Sequence, residues 1–482
     1  MRQLADNPCG TWLWTAACHG SRWVLVILLW QTIAAAGNAA VNVAAAVAGE
    51  ELSHDYSVMV EGKAVPVYVA KVAPADPARR WKAMDDKVRS ADFFDTAAFA
   101  SFDMTGPVKV TVTCAKPITT ARILPASWQI VPLIQGKSLT LTLKEPRPVT
   151  IEVNGNWVGV LHLFADPPEA AAPRPDDPNV IYFGPGVHRI GSLQVGDGKT
   201  VYLAAGAVVK GTAYGRRPVI TLAGKNIVLR GRGILDGGLC PTHSRHLLLL
   251  RGEDITVEGI VLRDSSIWNI PIRQSQRVTV RNVKVLGYRA NSDGIDICNS
   301  RDVHVEGCFL RTLDDLIVVK TDKGQGESRR IVAKDCVLWN EVAHALSVGA
   351  EIRENVDDVL FSNCDVIHDQ GREWTLRVFH CDSAHVSNVR FEDIRVEESR
   401  KLISLWIGKR IWTRDAERGH IQGVTFKNIR ATAAPLRVEL VGSDETHAVE
   451  DVLFQDVVVN GKPLTVANVK GNAFARKIRV QP

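Results

Sequence analysis

The chain has 482 residues, 46% of them apolar and 23% charged, enough to bury a large core across about two to three domains. A formal net charge of +5 is small for this length, and no block of Lys and Arg alternates with aromatics, which argues against a nucleic-acid partner. The N-terminus opens the chain-order reading. Arg2 and Arg22 precede an apolar run from Trp23 to Trp30 and a small-residue stretch through Ala34, Ala35, Ala36, Ala39 and Ala40. The run is short for a membrane span and reads as a secretory signal with a long leading region, cleaved between Ala36 and Gly49. Residues 1–49 are therefore assigned to signal and leader, and the mature protein is expected to be secreted or periplasmic, without membrane attachment. An uncleaved anchor is the competing reading.

From residue 50 to 165 the texture is that of short strands. Val108, Val110 and Val112 alternate with polar residues, as do Leu139, Leu141 and Leu143, and Asn154-Gly155 marks a hairpin turn before a strand near Trp157–Phe164. This segment predicts a small β-sandwich whose expected role is to cap the open end of a following core, with carbohydrate binding as the alternative. Residues 166–179, dense in Pro, Ala and Asp, predict a linker.

Residues 180–482 are dominated by one repeat. A nine-residue unit of alternating apolar and polar residues begins at Ile227, Ile255, Val278, Val303, Ile331, Val359, Val389, Val424 and Val452, at intervals of 23 to 35 residues. Period-two alternation rich in Val and Ile, with Gly, Asn or Asp at the bends, indicates strands, and the fixed long period indicates a solenoid. The fold class expected is all-β, a right-handed parallel β-helix with coils stacked about 4.8 Å apart. Cys308, Cys336 and Cys364 fall in the column that holds Ile260, Val283, Ile394, Ile429 and Val457 in other units. They are expected to be a buried apolar ladder rather than metal ligands. His368, His380 and His385 have no clear phase in the repeat and read as surface or loop residues.

Several reactive side chains share a phase on consecutive coils: Trp268, Asp293, the pair Asp314 and Asp315, His344 and Arg377. They predict a stripe along the solenoid, a groove for an extended polymer. Adjacent Asp314 and Asp315 would put one charge inward in a regular strand, so a bend there is expected to turn both outward. Asp296 reads as a supporting carboxylate and Lys320 as a groove or coil-edge cation. Carboxylates on neighbouring turns suit general acid/base chemistry on a sugar bond, and no metal or other cofactor is called for.

These residues carry a resemblance. Ser265-Ser266-Ile267-Trp268-Asn269, Asn291-Ser292-Asp293-Gly294-Ile295-Asp296, Leu313 to Lys320 and His344 to Gly349 resemble, in order, the motifs of glycoside hydrolase family 28, the polygalacturonase family. Gly231 to Gly237 is similar to its upstream glycine-rich segment. The likeness covers roughly Val180 to Val458. Dextranase-type enzymes of family 49, with a β-sandwich before a β-helix and a comparable aspartate trio, are the nearest alternative.

The resemblance implies an inverting hydrolase of α-glycosidic bonds in a polysaccharide. Asp314 would be the general acid, Asp293 and Asp315 would activate water, and His344 would tune the acid by hydrogen bonding. Trp268, Lys320, Arg377 and Asp296 would bind substrate or support the site. Two departures from the family pattern bear on the substrate. Arg377-Val378-Phe379 stands where an Arg-x-Lys pair would grip a carboxylate, and Ala343-His344-Ala345 where Gly-His-Gly is usual. Pectin-type or related uronic-acid glycans are favoured over neutral α-glycans. A β-helical polysaccharide lyase using Ca²⁺ and a non-catalytic glycan-binding solenoid are the other classes. A monomer is expected.

Overall fold

The computed structural model describes residues 40–86, 91–169 and 171–482. Of the predicted signal and leader, residues 1–49, residues 1–39 lie outside the described residues, whereas Ala40–Asn42 form a strand that pairs with Asp95–Thr105 of the sandwich. Among the described residues no helix is long and apolar enough to cross a membrane.

The architecture is all-β, a right-handed parallel β-helix preceded by a small β-sandwich. Two sheets, of six and five strands, build the sandwich. The alternation seen in the sequence is its cross-strand register: Val108, Val110 and Val112 face Leu143, Leu141 and Leu139. The Asn154-Gly155 turn has φ of 56° and 72°, the left-handed pair that a two-residue hairpin needs.

In the β-helix the repeat units stack in register. Ile227, Ile255, Val278, Val303, Ile331, Val359, Val389, Val424 and Val452 form one continuous column of parallel neighbours, extended by Ile478. Each unit is bracketed by two sharp bends. The residue before its start has positive φ (Asp254, Asp302, Asn388), and so does the residue four places after it (Asn282, Asp335, Asn428). Gly, Asn and Asp adopt this conformation at least cost, which is why they punctuate an otherwise aliphatic repeat. Inside the coils, Phe361, Phe391, Phe426 and Phe454 stack in sequence with ring centroids 4.8–5.2 Å apart. Cys308, Cys336 and Cys364 are free, buried and part of the same core, as their column predicted.

The sandwich lies along the flank of the β-helix rather than across its end. Phe99, Val160 and Phe164 of the sandwich join one apolar cluster with Val208, Ile234, Val261, Leu286, Phe309 and Val337, residues from six successive coils. Charges line the same seam: Arg232 with Asp103, Arg263 with Glu50, Lys284 with Asp166 and His368 with Glu152. The capping role is thus replaced by lateral docking, for which the outward apolar column on this one strand face provides the surface.

Two histidines also depart from expectation. His380 is fully buried in the strand Leu376–His380, its Nε2 on the Ala384 carbonyl at 2.6 Å. His368 is 4% exposed, 2.5 Å from Glu152 on the sandwich and 2.7 Å from Glu398 on the β-helix. Burial lowers its proton affinity, but the two carboxylates outweigh burial and leave it raised above 6.5. A raised folded-state value gives stability that is fully present below the unfolded pKa and fades as pH rises through the folded one. The urea midpoint of the full chain is therefore expected to fall as pH rises above about 6.5. His368→Gln should remove most of that slope. An equally steep slope in the variant would refute the assignment.

Candidate active site

The cluster forms where the strand face bearing the sandwich turns into the next face of each coil. Asp293 precedes the strand Ile295–Cys298, and Asp314 and Asp315 lie in the bend between Phe309–Thr312 and Ile317–Thr321. The expected bend is present. Gly294 makes the approach of the two coils feasible, because a Cβ there would meet the Leu316 carbonyl oxygen at 2.4 Å and Leu310 Cδ2 at 2.5 Å. On adjacent coils Asp296 pairs with Val318 in register, and Lys320, two residues on, emerges on the same face as Asp296.

Lys320 is the hub of the cluster. Its Nζ lies 2.8 Å from Asp296, 3.1 Å from Asp293 and 3.6 Å from Asp315. It also sits 4.4 Å from the centre of the Trp268 ring, which Arg273 approaches at 5.1 Å. Burial opposes its charge, yet the three carboxylates hold its proton affinity well above the ordinary lysine value. Asp296 is fully buried, and its proton affinity is raised, first by burial and then by Asp293. It supports Lys320 from below the cleft floor.

The trio differs in exposure and partners. Asp293 and Asp315 are buried, whereas Asp314 is partly exposed. Asp314 Oδ2 accepts from Asn291 Nδ2 at 3.1 Å and Oδ1 accepts from the Asp315 backbone N–H at 3.0 Å. Burial, then Asp293 and Asp315, push its proton affinity well above the usual carboxylate range against the pull of Lys320. Asp315 is raised to about 7, by burial and by Asp293, with Lys320 opposing. Among the described residues no group donates to Asp293 Oδ1 or Asp315 Oδ1. The nearest oxygens of the three residues all lie within 4.8 Å of one another. These are closest oxygen–oxygen approaches, necessarily shorter than the separation between whole carboxyl groups, which is roughly 6.5–9.5 Å for acid and base in an inverting enzyme.

Three carboxylates this close also resemble a divalent-cation site, but the Lys320 ammonium, beside Asp293 and Asp315, already supplies part of their counter-charge. His344 lies on the next coil. Its Nδ1 is hydrogen-bonded to the Trp374 carbonyl at 2.7 Å, not to the acid as expected. Burial and Arg377 push it down to about 3, so the ring is neutral.

Arg377 stands one coil further, packed 3.8 Å over Phe379 and donating to Glu373 at 2.8 Å, while its buried Nε has no hydrogen-bond partner among the described residues. The Phe379 that replaces a lysine is the floor of an aromatic wall, with Trp406 at 5.3 Å and Trp412 at 5.6 Å. Arg377, Arg400, Arg410 and Arg437 share with these rings a pocket of about 640 Å³. The stripe therefore resolves into two parts, a carboxylate cluster around Lys320 and a cationic aromatic pocket around Arg377. Asn291 and Glu373, which contact Asp314 and Arg377, are candidate site residues that the repeat phase does not single out. Asn291 lies inside the Asn-Ser-Asp-Gly motif, and Glu373 stands four residues before Arg377, so position alone was the available signal.

The model of the family Glycosyl hydrolases family 28 matches residues 224–475. The chain is 25% identical over 266 residues to a polygalacturonase of Chamaecyparis obtusa, covering 52% of this chain and 49% of the relative. It is 26% identical over 235 residues to one of Juniperus ashei, covering 46% and 45%. The chain thus spans about half the length of the curated relatives it matches. Among solved structures, Dex49A from Penicillium minioluteum superposes with a TM-score of 0.64 at 14% identity, over 91% of this chain and 96% of that one. That likeness extends through the sandwich and shows the fold alone.

Proposed function

We propose, on the premise that this chain belongs to glycosyl hydrolases family 28, whose model matches over half of it, that it is a secreted hydrolase of α-glycosidic bonds in an acidic, pectin-type glycan. One observation carries the mechanism: a partly exposed aspartate with strongly raised proton affinity beside two buried aspartates tied to a lysine.

Asp314 protonates the glycosidic oxygen, because burial and its carboxylate neighbours raise its proton affinity and favour the form that carries the proton. Asp293 and Asp315 take the proton of the attacking water through the oxygens that no donor among the described residues satisfies. Trp268 and the rings beside Arg377 stack on sugar faces, and Arg377 holds a substrate carboxylate in the pocket it shares with Arg410 and Arg437. His344, neutral and fixed through Nδ1, positions substrate through Nε2. The lyase reading is weaker, since Lys320 already pairs with two of the carboxylates that would have to hold its calcium.

A panel of homogalacturonan, rhamnogalacturonan, carboxyl-reduced homogalacturonan and dextran tests this. New reducing ends on the acidic glycans only, without unsaturated products and with EDTA present, are the expected outcome. Cleavage of dextran would move the assignment to neutral glycans. Unsaturated products lost on chelation would establish the lyase. NMR of the first product is expected to show the inverted anomer; retention would make one of the close-set aspartates a nucleophile.

A further inference from the structure

We propose that the segment Ala73–Asp85 of the sandwich, including most of the helix Pro77–Asp86, is a wall of the catalytic cleft, and that Arg80 on it is a positioning residue for the loops bearing Asp314 and Arg377. The inference rests on the hydrolase reading for its kinetic consequence, but its geometry stands independently.

The loops bearing Asp314 and His344 and the loop leading to Arg377 all touch this segment. Leu313, next to Asp314, and Val342, two before His344, pack in one apolar cluster with Ala73, Ala83, Trp81 and Met84. Arg80 is fully buried. It donates to the Gln370 carbonyl at 3.3 Å, on the loop leading to Arg377, and to Pro74 and Ala75 carbonyls at 3.1 and 2.8 Å. Its guanidinium lies 3.6 Å from Glu341, whose other oxygen accepts from Arg311 at 2.9 Å. Arg311 is three residues before Asp314 and Glu341 is three before His344, so one buried carboxylate between two arginines ties both loops to the sandwich. At the rim, Asp85 holds Arg372 by two hydrogen bonds of 2.7 and 3.1 Å, five residues before Arg377.

A buried ion pair costs desolvation and is poor evidence of stabilisation by itself, but it fixes geometry. Catalytic groups tolerate little misplacement, and a shift of about 1 Å can cost on the order of 10²-fold in rate. A sandwich held only for stability would need the apolar flank seam; it would not need contacts converging on the loops of the cleft.

Arg80→Met and Asp85→Asn in the full chain test this by hydrogen exchange and by kinetics on polygalacturonate. Arg80→Met is expected to raise exchange in the peptides covering residues 313–316, 342–345 and 370–373, to lower kcat at least tenfold, and to leave KM within about threefold. Asp85→Asn should raise exchange in 370–373 alone and lower kcat/KM severalfold. A folded Arg80→Met protein with unchanged exchange and kcat per folded molecule overturns the proposal. If Arg80→Met does not fold, Asp85→Asn decides by the same criterion. If polygalacturonate is not cleaved, the substrate reading fails while the exchange result still judges the wall.

Discussion

Asp314→Asn is expected to lower kcat by about 10²–10⁴-fold, equivalent to roughly 3–5 kcal/mol of transition-state stabilisation, with the fold intact. The amide keeps the size of the carboxyl, and its oxygen can still accept from the Asp315 backbone N–H. Facing it, Asn291 has to turn its amide so that oxygen rather than nitrogen meets the new NH₂. What the amide lacks is a proton to give to the departing oxygen. Removing a carboxyl that Asp293 and Asp315 repel should not destabilise the protein, so the urea midpoint is expected to equal or exceed that of the wild type. The wild-type kcat/KM profile should fall on the alkaline side as Asp314 loses its proton, and the variant's residual activity should not show that limb. A variant retaining more than a tenth of kcat would remove Asp314 from the acid role.

Much of this site was legible before any coordinates. The nine repeat starts predicted one column, and the register runs through all nine, because a period-two pattern with aliphatic inward positions has only one in-register stacking that buries them all. Asp314 and Asp315 announced the bend, since adjacent charges cannot share a regular strand next to an apolar core. The functional link between Lys320 and Asp296 was available in the same arithmetic, two residues from a paired position, but its charge balance depends on depth in the cleft, which sequence spacing does not encode. Contacts between the sandwich and the β-helix were not legible. Arg80 meets Glu341 across 261 residues, and His368 meets Glu152 across 216, so neither pair leaves a local pattern. His368 and His380 read as surface residues because a histidine with no clear phase in the repeat is normally solvated, and here a second domain or a neighbouring loop covers it.

Lys320→Met should be the most damaging single change to the stability of the site, and its cost should depend on pH in a defined direction. The methionine fills the same volume over Trp268 but leaves Asp293, Asp296 and Asp315 without the cation that lies within 3.6 Å of each. Breaking a buried pair in this way costs about 3–5 kcal/mol. The wild-type lysine has its proton affinity raised, so its contribution is fully present below about 10.5 and is lost only at still higher pH. Across the pH range from 5 to 8 that term is constant. The variant behaves differently. Asp296 and Asp315, already raised, rise further, and a carboxyl whose folded-state value exceeds its unfolded one imposes a penalty that grows as pH climbs from about 4 through the folded value. The gap in urea midpoint between the two proteins should therefore be wide at pH 8 and narrow at pH 5. The alkaline limb of any remaining activity should move to higher pH, because Lys320 was the group lowering the proton affinity of Asp314. A stability gap of equal size at both pH values would mean that Lys320 acts through packing alone, and that the carboxylates owe their state to burial rather than to this one charge.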